Sequence, residues 1–258
     1  MSQLIQKLKI AARLEVTPLG FAGINKAKVK PSPVLVARIT GDEKQIAKLV
    51  EGADAVFIDT HQEEAVDRVL KQFTKNVPEM IYGCWLGVIT NSASDFYAVT
   101  LDTDMNKLKE TEAGKAIIVD PDLEDRYLRQ LDSLPVDAIV MENKEGVTCR
   151  LTVKNYILCR RMALAVSKPL VIHTDLKITA QDVEEMWISG IDGFVVDVDP
   201  AFPSAVKELR QAIDKLELNP RHNEKMSVTP LIPVIKMDTG GSNEPLPDEE
   251  DDDDDFDE

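Results

Sequence analysis

Hydrophobic residues in this chain arrive in short unbroken blocks, and stretches with helical spacing separate most of them. Blocks of this length read as strands buried on both faces. They are VLVARI (34–39), DAVFID (54–59), IYGCWLGV (81–88), DFYAVTL (95–101), AIIVD (116–120), DAIVME (137–142), PLVIHT (169–174) and GFVVDV (193–198).

The segments between them carry helix signals. Thr40 with Glu43, Thr60 with Glu63 and Thr179 with Asp182 have the spacing of capping boxes. Ile46, Leu49 and Val50 form one apolar face, and Val206, Leu209, Ile213 and Leu216 another. The long helix after residue 151 is expected to turn Val153, Tyr156, Ile157, Met162 and Leu164 inward. Pro121 is expected to open a helix directly, and Gly190 to end one.

Eight buried strands alternating with helices predict a parallel sheet with helices outside. At this count the best reading is a closed (β/α)8 TIM barrel, with a doubly wound open sheet as the alternative. The irregular place is ITNSASD (89–95), too short for a crossover helix. It predicts a shortened third unit or, in competition, a hairpin. The domain plan is a lead-in over 1–30, a barrel over 31–218, a linker or docking segment over 219–247 and an acidic disordered tail over 248–258. PLGF (18–21) is placed either as a plug of the barrel bottom or as a dimer contact.

Three of the strands share a spacing in which an acid stands five residues after an Asp: Asp54 and Asp59, Asp137 and Glu142, Asp192 and Asp197. Strand side chains alternate faces, so the two acids of each pair lie on opposite faces and at opposite ends. Taking Asp59 as inward puts Ala55 and Phe57 inside, with Ala138, Val140 and Glu142, and Gly193, Val195 and Asp197. Phe96, Ala98 and Thr100 follow the same phase. The opening Asp then belongs to the turn into the strand. The closing acid sits at the C-terminal end, where barrel enzymes carry their chemistry.

Composition narrows the setting. Of the net charge of −16, the tail DEEDDDDDFDE carries ten acids and no base, leaving −6 for the remainder. There is no basic stripe for nucleic acid and no apolar run long enough for a membrane span. The first residues do not form a secretory signal. Three cysteines, Cys84, Cys149 and Cys159, show no metal or disulfide spacing, which fits a reducing cytoplasm. A tail with a role of its own would contact a basic partner or bind divalent ions weakly.

The run KPLVIHTDLKITAQDVEEMWISGIDGFVVDV (168–198) resembles the last quarter of the phosphate- and flavin-binding aldolase-type TIM barrels. These include nitronate monooxygenase-like, IMP dehydrogenase-like and indole-glycerol-phosphate synthase-like enzymes. The resemblance implies the barrel fold. It also implies glycine-bearing phosphate loops after strands seven and eight, but HTDLKIT and DVDPAFPS hold acids there. Acids repel phosphate, so no cofactor-binding residue carries over.

The mouth candidates are Arg38, Asp59, Glu142, His173 and Asp197, with Asp102, Asp120, Asp175 and His61 nearby. Asp59, Glu142 and Asp197 are placed as ligands of a divalent ion such as Mg or Mn. Glu142, Asp197 and His173 are placed as acid–base residues and Arg38 as the clamp of a substrate carboxylate. Asp120 and Asp199, each before a proline, are placed as helix caps. Trp85 and Trp187 are read as packing.

Two function classes follow. One is a metal-assisted lyase, decarboxylase or isomerase acting on a small carboxylated substrate. The other is a non-catalytic, degenerate barrel used as a binding or scaffold module. A third, a flavin- or phosphate-dependent enzyme, needs an anion site rebuilt from Lys177 or Arg38.

Overall fold

The computed structural model describes residues 2–12, 32–40, 46–59, 70–71, 73–85, 94–142 and 151–218. The boxes that use Glu43, Thr60 and Glu63 lie outside them, as do His61, PLGF, Cys149, the 86–93 connection and everything after residue 218.

Eight parallel strands close into a barrel in simple sequential order. They are β1 (Val34–Thr40), β2 (Ala55–Asp59), β3 (Tyr82–Trp85), β4 (Phe96–Val99), β5 (Gly114–Val119), β6 (Ala138–Met141), β7 (Leu170–Thr174) and β8 (Gly193–Asp197). Closure comes from β1 pairing with β8, with Val34 opposite Gly193 and Arg38 opposite Asp197. That pairing excludes the open sheet. The hairpin also falls, since β3 and β4 run parallel with Gly83 opposite Phe96.

Helices surround the barrel: α2 (Ile46–Leu49), α3 (Met105–Glu110), α4 (Asp125–Leu131), α5 (Val153–Ala165), α6 (Ala180–Ser189) and α7 (Ala205–Lys215). Residues 70–71 and 73–76 are also helical and bury Leu70 and Phe73. Among the described residues no helix is long and apolar enough to cross a membrane. The Thr179–Asp182 box is complete at the start of α6, and Gly190 ends that helix at φ 114°. A Cβ at Gly190 would also strike the Ala163 methyl, so the position needs glycine twice over.

Two expectations are corrected. Helix α5 buries Cys159, Met162 and Ala163, whereas Val153, Ile157 and Leu164 are more than half exposed. Its apolar residues occupy more than one side, so spacing did not fix its phase. Asp120 and Asp199 do not cap helices, which begin only at Asp125 and Ala205. Each instead closes a turn, accepting from the amide two residues on, at Asp122 and Ala201. Asp175 does the same with Lys177.

The inward and outward phases hold around the barrel. Val56, Ile58, Ile139, Met141, Phe194 and Val196 meet the helices. Ala55, Phe57, Phe96, Ala98, Ala138, Val140 and Val195 fill the interior. These inward residues stack in layers of four drawn from alternate strands. Phe57, Ala98, Val140 and Val195 form one layer from the even strands. Above it the odd strands contribute Arg38, Trp85, Ile118 and His173. Each of these four pairs with a member of the apolar layer: Arg38 with Phe57, Trp85 with Ala98, Ile118 with Val140 and His173 with Val195. The next even-strand layer is Asp59, Thr100, Glu142 and Asp197, at the C-terminal rim.

The opposite end is stopped by α1 (Gln3–Ala11), which inserts Leu4, Ile5, Leu8 and Ala11 into the interior cluster. Gly114 makes room for it, because a Cβ there would stand 2.6 Å from Ile5.

The opening aspartates sit at this end. Asp54, Asp137 and Asp192 each form a two-way clasp with the preceding strand. Their amides donate to Leu35, Lys115 and Leu170 carbonyls, all at 2.7 Å. Their carboxylates accept from the amides of the same residues at 3.0, 3.0 and 2.8 Å. Asp95 opens β4 but gives its carboxylate to α1, accepting from the Ser2 hydroxyl and the Gln3 and Leu4 amides. All four even strands therefore begin with an aspartate used for structure.

Asp192 is 1% exposed, so Asp192→Ala should cost about 1–3 kcal/mol by leaving the Leu170 amide unpaired in the core. The half-buried Asp137 should cost less on replacement. Urea unfolding measures both. Asp95→Ala should leave the barrel folded but speed amide exchange over residues 3–11, and unchanged exchange there would refute the clasp on α1.

Candidate functional site

The C-terminal rim gathers Arg38, Asp59, Glu142, His173 and Asp197. Arg38 stands at the centre. Its Nε donates to Asp197 Oδ1 at 2.5 Å and its Nη2 to Asp197 Oδ2 at 3.1 Å, a two-pronged contact. Its Nη1 reaches Glu142 Oε1 at 3.2 Å and stands 4.0 Å from Asp59 Oδ2. Below, the guanidinium carbon lies 5.0 Å from the centroid of the Trp85 ring. Trp85 in turn meets Phe57 edge to face and lies 5.7 Å from the His173 ring.

His173 is fully buried between two carboxylates. Its Nε2 is 3.1 Å from Asp197 Oδ2, and an ionised carboxylate only accepts, so Nε2 carries a proton. Its Nδ1 is 3.0 Å from Glu142 Oε1, an ion-pair distance but off the line of a hydrogen bond. Burial of the ring works against its positive charge, yet the Asp197 and Glu142 carboxylates outweigh it, with Arg38 opposing them. The net shift holds His173 above the ordinary imidazole value. Burial likewise works to raise Asp197, but contacts with His173 and Arg38 hold it below the usual carboxylate range.

Asp59, Glu142 and Asp197 thus converge as expected of metal ligands, but the cation they surround is the guanidinium of Arg38. Among the described residues no group of three or more His, Cys, Asp or Glu is arranged to hold a metal ion. The site does not fit the divalent ion expected from sequence. Arg38 likewise gives three of its five N–H groups to protein carboxylates, so a substrate carboxylate would compete with Asp197 and Glu142 for it.

Next to this network, the turns after β7 and β8 enclose a cavity of about 620 Å³. Asp197 belongs to both: its side chain is 42% exposed, against 14% for Arg38 and Glu142, 10% for Asp59 and none for His173. Asp175 and Lys177 also line the cavity. Asp102 stays outside as an exposed turn residue. Sequence reading missed Trp85 as the floor of the network, although its inward phase on β3 after Gly83 would have placed it there. It also missed Phe202, a cavity residue 64% exposed, for which the sequence held no signal.

No protein-family model matches the chain, and no curated protein matches it. Solved structures do. A single-site mutant of the tryptophan synthase alpha-subunit from the hyperthermophile Pyrococcus furiosus is 15% identical over 72% of this chain and 98% of its own, with a TM-score of 0.52. The alpha-subunit structure studied for entropic stabilisation, from the same organism, is 14% identical over 71% and 97%, at 0.52. The tryptophan synthase complex of that organism gives 14% over 70% and 93%, at 0.51. At this identity the likeness is one of fold, the aldolase-type TIM barrel.

Removing Arg38 leaves three carboxylates facing one another, so Arg38→Met should cost about 3–5 kcal/mol, read by urea unfolding. The pH dependence has two limbs. The raised His173 contributes stability that is complete below its unfolded value of about 6.5 and is lost as pH rises through its folded value. The depressed Asp197 contributes stability present above its unfolded value and lost as pH falls through its folded one. Wild type minus His173→Gln should therefore show an advantage that shrinks on the alkaline side of pH 6.5. A difference that grows there would refute the imidazolium assignment.

Proposed function

We propose that the protein is a proton-transfer enzyme of the lyase or isomerase kind, acting on a small molecule at the C-terminal mouth of the barrel. The observation that carries the reading is the position of Asp197. It is the network residue that opens on the cavity, and it stands 3.1 Å from the Nε2 of a histidine buried behind it. The pair is one acid–base unit rather than two independent groups. With His173 protonated, the unit can give a proton through Asp197. Once Nε2 has given up its proton, and His173 keeps the remaining one on Nδ1 beside Glu142, Asp197 can take a proton and return it to Nε2. Glu142 and Arg38 hold the imidazole and the carboxylate in register, and Arg38 supplies the positive charge that a divalent ion was expected to supply. The fold lends weight as analogy, since barrels of this type place their chemistry at this rim.

The competing reading, a non-catalytic binding barrel, is favoured by the complete burial of His173 and the commitment of three Arg38 N–H groups to protein carboxylates. Proton exchange separates the two. Aminoacetone, hydroxyacetone and pyruvate carry a positive, a neutral and a negative group beside a ketone with exchangeable α-protons. The enzyme reading expects wild type to speed deuterium exchange into at least one of them above buffer, followed by NMR. Asp197→Asn should then lower that rate about 100-fold or more, the usual scale for an acid–base group. Binding of a ketone with no acceleration would favour the binding barrel.

A further inference from the structure

The cavity beside Asp197 has a chemical character of its own. Among the described residues its lining includes Asp175, Asp197, Asp199 and Glu208 but one base, Lys177. Its volume of about 620 Å³ suits a small organic ligand, and much of the wall is aliphatic or aromatic. Phe202 stands there largely exposed.

Two further features bear on the sign of charge it favours. The network behind the cavity is not neutral: one guanidinium and at most one imidazolium face Asp59, Glu142 and Asp197, so at least one negative charge is left over in the network that Asp197 connects to the cavity. The amino end of α7 would ordinarily favour an anion, but Glu208 lies in its first turn and accepts from the Ser204 hydroxyl at 2.7 Å. The positive end of that helix is already answered by a carboxylate of the protein. A phosphate or carboxylate placed here would meet four acids. A protonated amine would meet a lining and a network of net negative charge, an aromatic ring for cation–π contact and an apolar wall.

We infer that the cavity between the β7 and β8 turns is a site for a small organic ammonium compound, its charged end against Asp197 and its apolar body along Phe202. The inference rests on Asp197 being the ligand-facing residue, and it adds the class of ligand. It gives Lys177 a definite role, since a lysine at the edge weakens a cation and would strengthen an anion.

The probes are isobutylamine, isobutanol, isovalerate and inorganic phosphate, followed by thermal shift and ligand-observed NMR on the full chain. The amine should bind saturably, more weakly as salt rises, and the other three should not. Asp197→Asn should weaken the amine about tenfold or more. Because that variant also disturbs the buried network, exposed positions provide the control. Phe202→Ala should weaken amine binding about two- to fivefold, and Lys177→Gln should tighten it. Isovalerate or phosphate binding that Lys177→Gln abolishes would overturn the inference, as would amine binding indifferent to all three substitutions or no amine binding at all. Ketone exchange without amine binding would sink this inference and leave the catalytic reading standing. Amine binding without exchange would do the reverse.

Discussion

The rim of this barrel depends on one guanidinium. Arg38 answers three carboxylates that β2, β6 and β8 bring to the same level, two of them at hydrogen-bond distance. Without it, Asp59, Glu142 and Asp197 would repel one another, the first two with little access to solvent. With it, Asp197 stays ionised, and the Asp197 and Glu142 carboxylates favour a charged His173 against the opposing charge of Arg38. Buried ion pairs of this kind add little net stability, because desolvation offsets most of their attraction. What they confer is geometry: His173 has one place to sit, and Asp197 has one face left for the cavity.

The same layer logic that builds the rim builds the body. Four even strands present Phe57, Ala98, Val140 and Val195 below and Asp59, Thr100, Glu142 and Asp197 above, while the odd strands interpose Arg38, Trp85, Ile118 and His173. The charged network is the polar continuation of a hydrophobic stack. Trp85 marks the boundary, packed on Phe57 below and under the Arg38 cation above.

Much of this was legible in the residues. Strand alternation separated the inward from the outward set, and the five-residue offset separated structural aspartates from rim acids. Asp54, Asp137 and Asp192 do clasp the strand before them, and Asp59, Glu142 and Asp197 do reach the mouth. What spacing could not supply was which charge meets which. Arg38 lies 104 residues from Glu142 and 159 from Asp197, and they meet because β1 closes on β8. A metal ion was the natural guess for three convergent acids until closure set an arginine among them. The phase of α5 escaped for a different reason: a helix with apolar residues on several sides does not say which side packs. Asp120 and Asp199 were misassigned because an Asp–Pro step suits a turn as well as a helix start.

Helix α1 precedes every strand in the chain, yet its seat is made from parts of the whole barrel. Its amino end is held by Asp95 before β4, its side chains fill space left by Gly114 in β5, and Leu8 lies against Gly193 in β8. During synthesis the helix therefore leaves the ribosome long before its socket exists. The native seat of Leu4, Ile5 and Leu8 is complete only once β8 is in place. Folding of this barrel cannot run simply from one end to the other. The β1–β8 pairing completes the socket, so the seat of α1 is built from contacts of long sequence separation, the kind that slow folding.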